Sequence, residues 1–236
     1  ATRSGAGLFD VSHMGVFDFS GPGAEVFLNA LATNDVTTLA VGSAHYTYLL
    51  GVDGIPIDDI FIYRLAPDHF LAVVNASNND KDWAWITALQ RGEVQADPAR
   101  PGVTLPGRDA VIIRDLRDPA LGAGRRVDIA LQGPQSRDVL LSLGGTDADK
   151  ARVRRLPWAG VTRATLGGYD LIVARTGYTG ERVAYEIFLD PDQAPALFRD
   201  LIAAGATPVG LAARDSLRTE AGLPLYGHEL AGALNL

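Results

Sequence analysis

The sequence predicts an α+β fold, with antiparallel sheets and helices packed against them. Three observations carry this. Strand-like segments come in adjacent pairs joined by short turn signals, rather than alternating one by one with helices. Each group of strands is followed by a single amphipathic helix, so the same grammar is used twice. The chain of 236 residues is 47% hydrophobic and 21% charged, the balance of an ordinary globular protein able to bury a sizeable core.

The elements follow in order. Met14 to Phe19 alternates apolar and polar positions and reads as a strand. Gly21-Pro22 opens a helix, with Val26, Phe27, Ala30 and Leu31 as its apolar stripe. His45 to Leu50 is a second strand. Ile60 to Leu65 and Phe70 to Asn75 form a hairpin around Ala66-Pro67-Asp68, residue types that turn the chain. Asn78 and Asn79 cap a helix containing Trp83, Ile86 and Leu89. In the second half, Val161 to Leu166 and Tyr169 to Arg175 form a hairpin across Gly167-Gly168, and Ala184 to Leu189 adds a strand. Asp190 caps the next helix, Pro191 stands at its start and Gly205 at its end. Ala194, Leu197, Phe198, Leu201 and Ile202 give that helix an i, i+3, i+4, i+7, i+8 face. The two halves share no convincing sequence identity. Residues 95–126 between them are rich in proline, glycine and arginine, with Pro98, Pro101, Pro106 and Pro119, and read as a surface insertion with a short strand at Val111-Ile112-Ile113.

Composition excludes several function classes. A formal charge of −7 argues against nucleic acid or an anionic membrane as partner. The basic run Arg152, Arg154 and Arg155 reads as a solvated helix face. There is no cysteine, hence no disulfide, thiolate metal site or cysteine nucleophile, and a cytoplasmic protein is expected. No apolar run reaches the roughly 18 residues of a membrane helix. The opening Ala1-Thr-Arg-Ser-Gly-Ala-Gly7 reads like the interior of a longer protein, with a stretch missing before it. The four histidines, His13, His45, His69 and His228, are scattered, so no metal site is expected. Neither a phosphate loop nor a Gly-x-Ser-x-Gly elbow is present.

The most informative stretch is Arg175-Thr-Gly-Tyr-Thr-Gly-Glu181, followed by Ala184-Tyr-Glu-Ile187. Two glycines, a tyrosine and two carboxylates between apolar runs suggest a binding surface, because such a loop costs stability. Asp58 and Asp59 are the second feature. Adjacent strand residues point to opposite faces, so the two do not form an acid/base dyad. One faces a cleft and the other solvent or a backbone donor, and spacing alone also allows an ordinary acidic pair. Glu186 and Arg214 are the third. A carboxylate and a guanidinium can read the donor–acceptor edge of a heterocycle, or simply tie a strand to a helix.

With Phe9-Asp-Val-Ser-His-Met14, and with Gly210-Leu-Ala-Ala-Arg-Asp-Ser-Leu-Arg218 and Leu225-Tyr-Gly-His-Glu229, the chain resembles the aminomethyltransferase (T-protein) family of the glycine cleavage system. The resemblance implies a folate-binding T-protein-like fold of three domains around a folate channel, of which the chain carries two and lacks a carboxy-terminal barrel. It implies one domain from residues 1–50 with 127–160 and 206–236, and a second from 51–94 with 161–205. It also implies Asp59 beside the reacting folate, with Asp53-Gly54 standing where the family has two glycines. The pterin would rest on Glu186 and Arg214, with Glu181 as the competing carboxylate. Tyr46 would line the site, Met14 would pack on the ring, and Asn75 and Tyr226 would add contacts. The implied co-substrate is tetrahydrofolate and the implied partner the lipoylated H-protein, the enzyme acting as a monomer. The alternatives are another folate-dependent demethylase or one-carbon transferase of this fold, or a non-catalytic folate-binding protein. The last carries a cysteine-containing version of the loop motif, which this chain lacks.

Overall fold

A computed structural model describes every residue except Ala96, Pro98, Pro101 and 231–236. In chain order the elements are β1 (Gly7–Asp10), β2 (Gly15–Ser20), α1 (Ala24–Leu31), β3 (Ala44–Leu50), β4 (Pro56–Ala66), β5 (His69–Val74), α2 (Asn79–Arg91) and β6 (Ile112–Asp115). There follow β7 (Val127–Gln132), α3 (Ser136–Ser142), α4 (Asp147–Arg155), β8 (Val161–Leu166), β9 (Tyr169–Ala174), β10 (Ala184–Leu189), α5 (Ala194–Ala203), β11 (Thr207–Pro208) and α6 (Leu211–Glu220). They form two compact units. One holds Ala1–His13 and Pro119–Pro224, the other Met14–Asp118 and the segment from Leu225.

In the Met14–Asp118 unit the strands run β3-β4-β5-β2-β6, all antiparallel. Strand alternation divides the side chains of β4: Ile60 and Ile62 enter the core with Phe17, Phe19, Phe70, Ala72 and Val74, under Phe27, Leu28 and Leu31 of α1 and Ile86 and Leu89 of α2. Each fully buried Leu, Ile or Phe contributes about 1.5–3 kcal/mol. The odd positions Asp59, Phe61 and Tyr63 take the opposite face, where β3 sets Tyr46 across from Phe61 and Tyr48 across from Asp59. The adjacent aspartates are thus parted as strand geometry requires.

In the other unit the order is β11-β1-β7-β10-β9-β8, antiparallel except for the short parallel pair of β1 with β11. Odd positions of β7 and β10 (Ile129, Leu131, Tyr185, Ile187 and Leu189) pack with Val139, Leu140, Leu197 and Leu201 from the helices. Even positions, including Asp128 and Glu186, face the other way. The β8–β9 hairpin turns on Gly167 and Gly168, with φ of +61° and +84°, which side-chain-bearing residues rarely adopt.

The α+β class with antiparallel sheets agrees with the expectation, and both hairpins stand where the turn signals set them. Several details differ. The stripe of α1 is rotated: Val26 and Ala30 are exposed, while Ala24, Phe27, Leu28 and Leu31 are buried. Pro22 precedes α1 rather than starting it, and α5 begins at Ala194, leaving Asp190 to accept from the Asp192 N–H at 3.0 Å in the preceding turn. Asn78 stands at the start of α2, but its side chain does not cap it. The stretch 95–126 is no simple surface insertion. Its β6 completes a sheet edge on β2, Val111 is buried, and the Ala110 carbonyl accepts from the Gly23 N–H at 3.0 Å; Pro98 and Pro101 of that reading lie outside the described residues. The units also divide differently from the expectation. Residues 14–50 share a sheet with 56–74, and 161–189 share one with 7–10 and 127–132, because backbone pairing rather than order along the chain assembles each core. The tail of the expected first domain, 231–236, lies outside the described residues. The arginines of α4's last turn, Arg152, Arg154 and Arg155, are exposed, as expected.

Candidate active site

Asp59 sits half-buried on the face of β4 turned away from α1 and α2. The Tyr46 hydroxyl donates to its Oδ2 at 2.8 Å, and the Asn75 amide donates to its Oδ1 at 2.8 Å. Tyr46 is itself held between Tyr48 and Phe61, with ring centroids 5.3 and 5.9 Å away. Burial raises the Asp59 pKa from the ordinary carboxylate value, the Asp58 charge adds to this, and the two donors work against it. Burial pushes the Tyr46 hydroxyl up, so Tyr46 stays a donor.

Asp58, behind the strand, is fully buried. It accepts from the Asn75 backbone N–H and the Asn75 amide, both at 2.9 Å, and from the Asn78 amide at 2.6 Å. Asn75 therefore joins both aspartates, because the chain leaves β5 there and turns toward α2. Tyr226, from the segment after α6, meets the start of the same strand: its hydroxyl donates to the Pro56 carbonyl at 3.2 Å, and the Lys81 ammonium stands 4.4 Å from its ring centroid. Tyr226 anchors the start of β4. Met14 is half-buried at the lead-in to β2.

The other unit holds Glu186, on β10 between Ala130 of β7 and Ala174 of β9. The Thr176 hydroxyl donates to it. Arg214, in the first half of α6, lays its guanidinium 4.5 Å from the centroid of the Tyr178 ring. Burial lowers the Arg214 pKa, opposed by the charge of Glu186 first and then by Tyr178 and Asp128. Asp128 is fully buried on the same sheet face as Glu186 and accepts from the Ile187 N–H at 3.2 Å. Burial, reinforced by Glu186, holds it well above the ordinary carboxylate range. His13 also senses Arg214; burial and that charge lower its pKa, while Asp10 raises it.

The loop carrying Tyr178 is fixed. The Tyr178 hydroxyl donates to the Pro224 carbonyl at 2.6 Å, and Thr179 donates to the Gln132 side chain at 2.6 Å. Gly180, at φ +78°, makes its turn. Glu181 stands apart from Glu186: it pairs with Arg3 at 2.8 Å, and Arg3 also reaches Glu220 at 3.0 Å. A cleft of about 370 Å³ opens beside this loop, lined by Trp158, Arg175, Arg182 and Leu223 among others, and neither Glu186 nor Arg214 lines it.

Of the expected residues, Asp59, Tyr46 and Asn75 come together in one cluster, and Glu186 with Arg214 in another. Sequence reasoning missed Asp128, Asp82, Asn78 and Thr176. Two carried a signal: Asp128 is a lone charge inside the apolar run Val127-Asp-Ile-Ala-Leu131, and Asp82 interrupts the face of Asn78, Ile86 and Leu89.

A model of the GCVT N-terminal domain matches residues 1–236. The chain belongs to the GCVT N-terminal domain family. It is 41% identical over 235 residues to an aminomethyltransferase of Herpetosiphon aurantiacus, covering 100% of this chain and 57% of that protein. It is 40% identical over 234 residues to the aminomethyltransferase of Bacillus subtilis, covering 98% and 57% respectively. The solved structure of glycine cleavage system aminomethyltransferase T from Bartonella henselae superposes with a TM-score of 0.78 at 34% identity, over 98% of this chain and 55% of that one. A heterotetrameric sarcosine oxidase from Corynebacterium shares the fold alone, with a TM-score of 0.51 at 16% identity. The chain thus spans about 57% of the length of the curated relatives it matches.

Proposed function

We propose that this chain carries the folate-handling part of a tetrahydrofolate-dependent aminomethyltransferase of the glycine cleavage system, one that takes a methylene from the aminomethyl-lipoyl arm of H-protein and releases ammonia. The observation that carries the reading is the Asp59 carboxylate, aimed by Tyr46 and Asn75 on the face of β4 turned away from the helices. Relatives named aminomethyltransferase support the chemistry.

The residues present fit a reduced pterin. Glu186 is an acceptor and Arg214 a planar donor, the two complements of a pterin edge, and Tyr178 stiffens the arginine. Asp128 lends its surroundings further negative potential only when ionised, and burial, reinforced by Glu186, raises its pKa and so favours the neutral form. Tetrahydrofolate, when bound, supplies the N5 nucleophile. The protein's part is to orient that nitrogen and to stabilise positive charge developing on the transferred carbon, the work of a fixed anion. Asp59 suits this because Tyr46 and Asn75 each hold one of its oxygens and so fix the direction of the carboxylate.

The test is ammonia release on mixing the full-length protein with aminomethylated H-protein and tetrahydrofolate. Release that needs both partners supports the reading. Release from a small methylated amine but not from H-protein would overturn it in favour of a folate-dependent demethylase.

A further inference from the structure

Beneath the Asp59 strand lies a buried carboxyl that the proposed chemistry does not use. Asp82, one turn into α2, is fully buried, and neither of its oxygens finds a donor among the described residues. It lies within hydrogen-bonding reach of Asp58. Two carboxylates this close in an apolar core repel, and such a pair persists when one keeps its proton and donates to the other. The groups acting on Asp82 agree. Burial dominates, Asp58 and Asp59 of β4 add repulsion, and Lys81, which opposes them, spends its ammonium on the Ile57 carbonyl at 2.6 Å and on Tyr226. The Asp82 pKa is accordingly pushed up to about 10. No group of three or more acidic or histidine side chains among the described residues could hold a metal ion.

The proton has one acceptor, Asp58, whose other bonds come from Asn75 and Asn78. Asn75 also grips Asp59. An unbroken series therefore runs from α2 to the reacting face: Asp82, Asp58, Asn75, Asp59. We propose that Asp82 is a positioning residue, donating its carboxyl proton to Asp58 and so fixing, through Asn75, the rotamer of Asp59. The proposal rests on the aminomethyltransferase reading for its consequence in turnover, but not for the bridge itself.

The experiment uses the full-length protein with Asp82→Asn and Asp82→Leu. Asparagine keeps a neutral donor toward Asp58; leucine keeps the volume and removes it. Asp82→Asn is expected to hold kcat within about threefold of the parent. Asp82→Leu is expected to lower kcat tenfold or more with the folate KM little changed, since a loosened Asp59 costs transition-state stabilisation rather than binding. Equal kcat losses in both variants, or none in the leucine variant, would overturn the proposal. Two readouts need no turnover. The parent should show the infrared carbonyl band of a buried protonated carboxyl at neutral pH, lost in Asp82→Asn, and the Asp59 carboxyl titration seen by NMR should move in Asp82→Leu but not in Asp82→Asn. An absent band, or an unmoved titration, would refute the bridge even in a protein with no transferase activity. Should the parent release no ammonia while these signatures hold, only the functional reading falls.

Discussion

Asp58→Asn and Asp59→Asn should have opposite consequences, because strand geometry assigns the two carboxylates to different surroundings. Asp58 accepts three donors and is fully buried. An asparagine there has one oxygen and one NH2 group, so at least one of the two Asn75 donors, or Asn78, meets another donor. Losing a charge-assisted bond costs about 1.5–3 kcal/mol, and the donor left without an acceptor a further 1–3 or so. A total of about 3–5 kcal/mol corresponds to roughly 10 °C in Tm for a protein of this size. Asp59, half-buried with two donors, loses less on amidation. It loses instead the charge at the reacting nitrogen, which should lower turnover roughly 10²–10³-fold with a small change in folate affinity. Thermal melts of both variants, followed by kinetics at a temperature where both are folded, make the comparison. An Asp58→Asn protein that melts with the parent yet loses more turnover than Asp59→Asn would show that the faces are reversed. If neither variant loses turnover, the electrostatic mechanism fails.

Arg214→Lys keeps the charge but gives up the planar fork and the stacking on Tyr178, so folate affinity by calorimetry should fall by about 1–3 kcal/mol; unchanged affinity would make Arg214 structural. Asp82 should make stability fall with rising pH. Its folded pKa of about 10 exceeds the unfolded value, so its contribution is whole below the unfolded pKa and drains away as pH climbs toward 10, by up to about 1.4 kcal/mol per unit. Asp82→Asn should therefore outlast the parent at pH 8 in urea melts, the gap widening with pH; a constant gap would contradict a protonated Asp82. The raised Asp59 pKa moves the acid limb of the kcat profile above the ordinary aspartate range, and Asp59→Asn should remove that limb. Gly180→Ala should cost about 1–2 kcal/mol from its φ of +78° alone, and its new Cβ would stand 2.6 Å from that of Ala221, so a Tm drop of several degrees is expected.

Local signals were legible because they act over a few residues. Gly167-Gly168, the Ala66–Asp68 turn and the period of α5 each fixed an element without help from the rest of the chain. What failed was whatever depends on distant pairing. Nothing around Ile112 shows that it edges a sheet with Ser20, and nothing in 127–132 shows that it lies between 7–10 and 184–189. The site followed the same rule. The split of Asp58 from Asp59 follows from a period of two, whereas the part of Asn75 as a link between them depends on a turn whose path only the folded chain reveals. The pairing of Glu181 with Arg3 was not legible, because the two are far apart in sequence.

The discontinuous make-up of the two units has a consequence for how the chain is born. Residues 14–118 supply a whole five-stranded sheet and its helices without interruption, and can condense as they leave the ribosome. β1 cannot. Its neighbours, β7 and β11, are synthesised more than a hundred residues later, roughly ten seconds at ordinary elongation rates, and until then its edges stay open. The opening residues must wait while a later-encoded body matures behind them, a delay during which an apolar strand invites the wrong neighbour. Ribosome-stalled chains just long enough for residue 118 to have cleared the exit tunnel should resist proteolysis over 14–118 while being cut readily before residue 14.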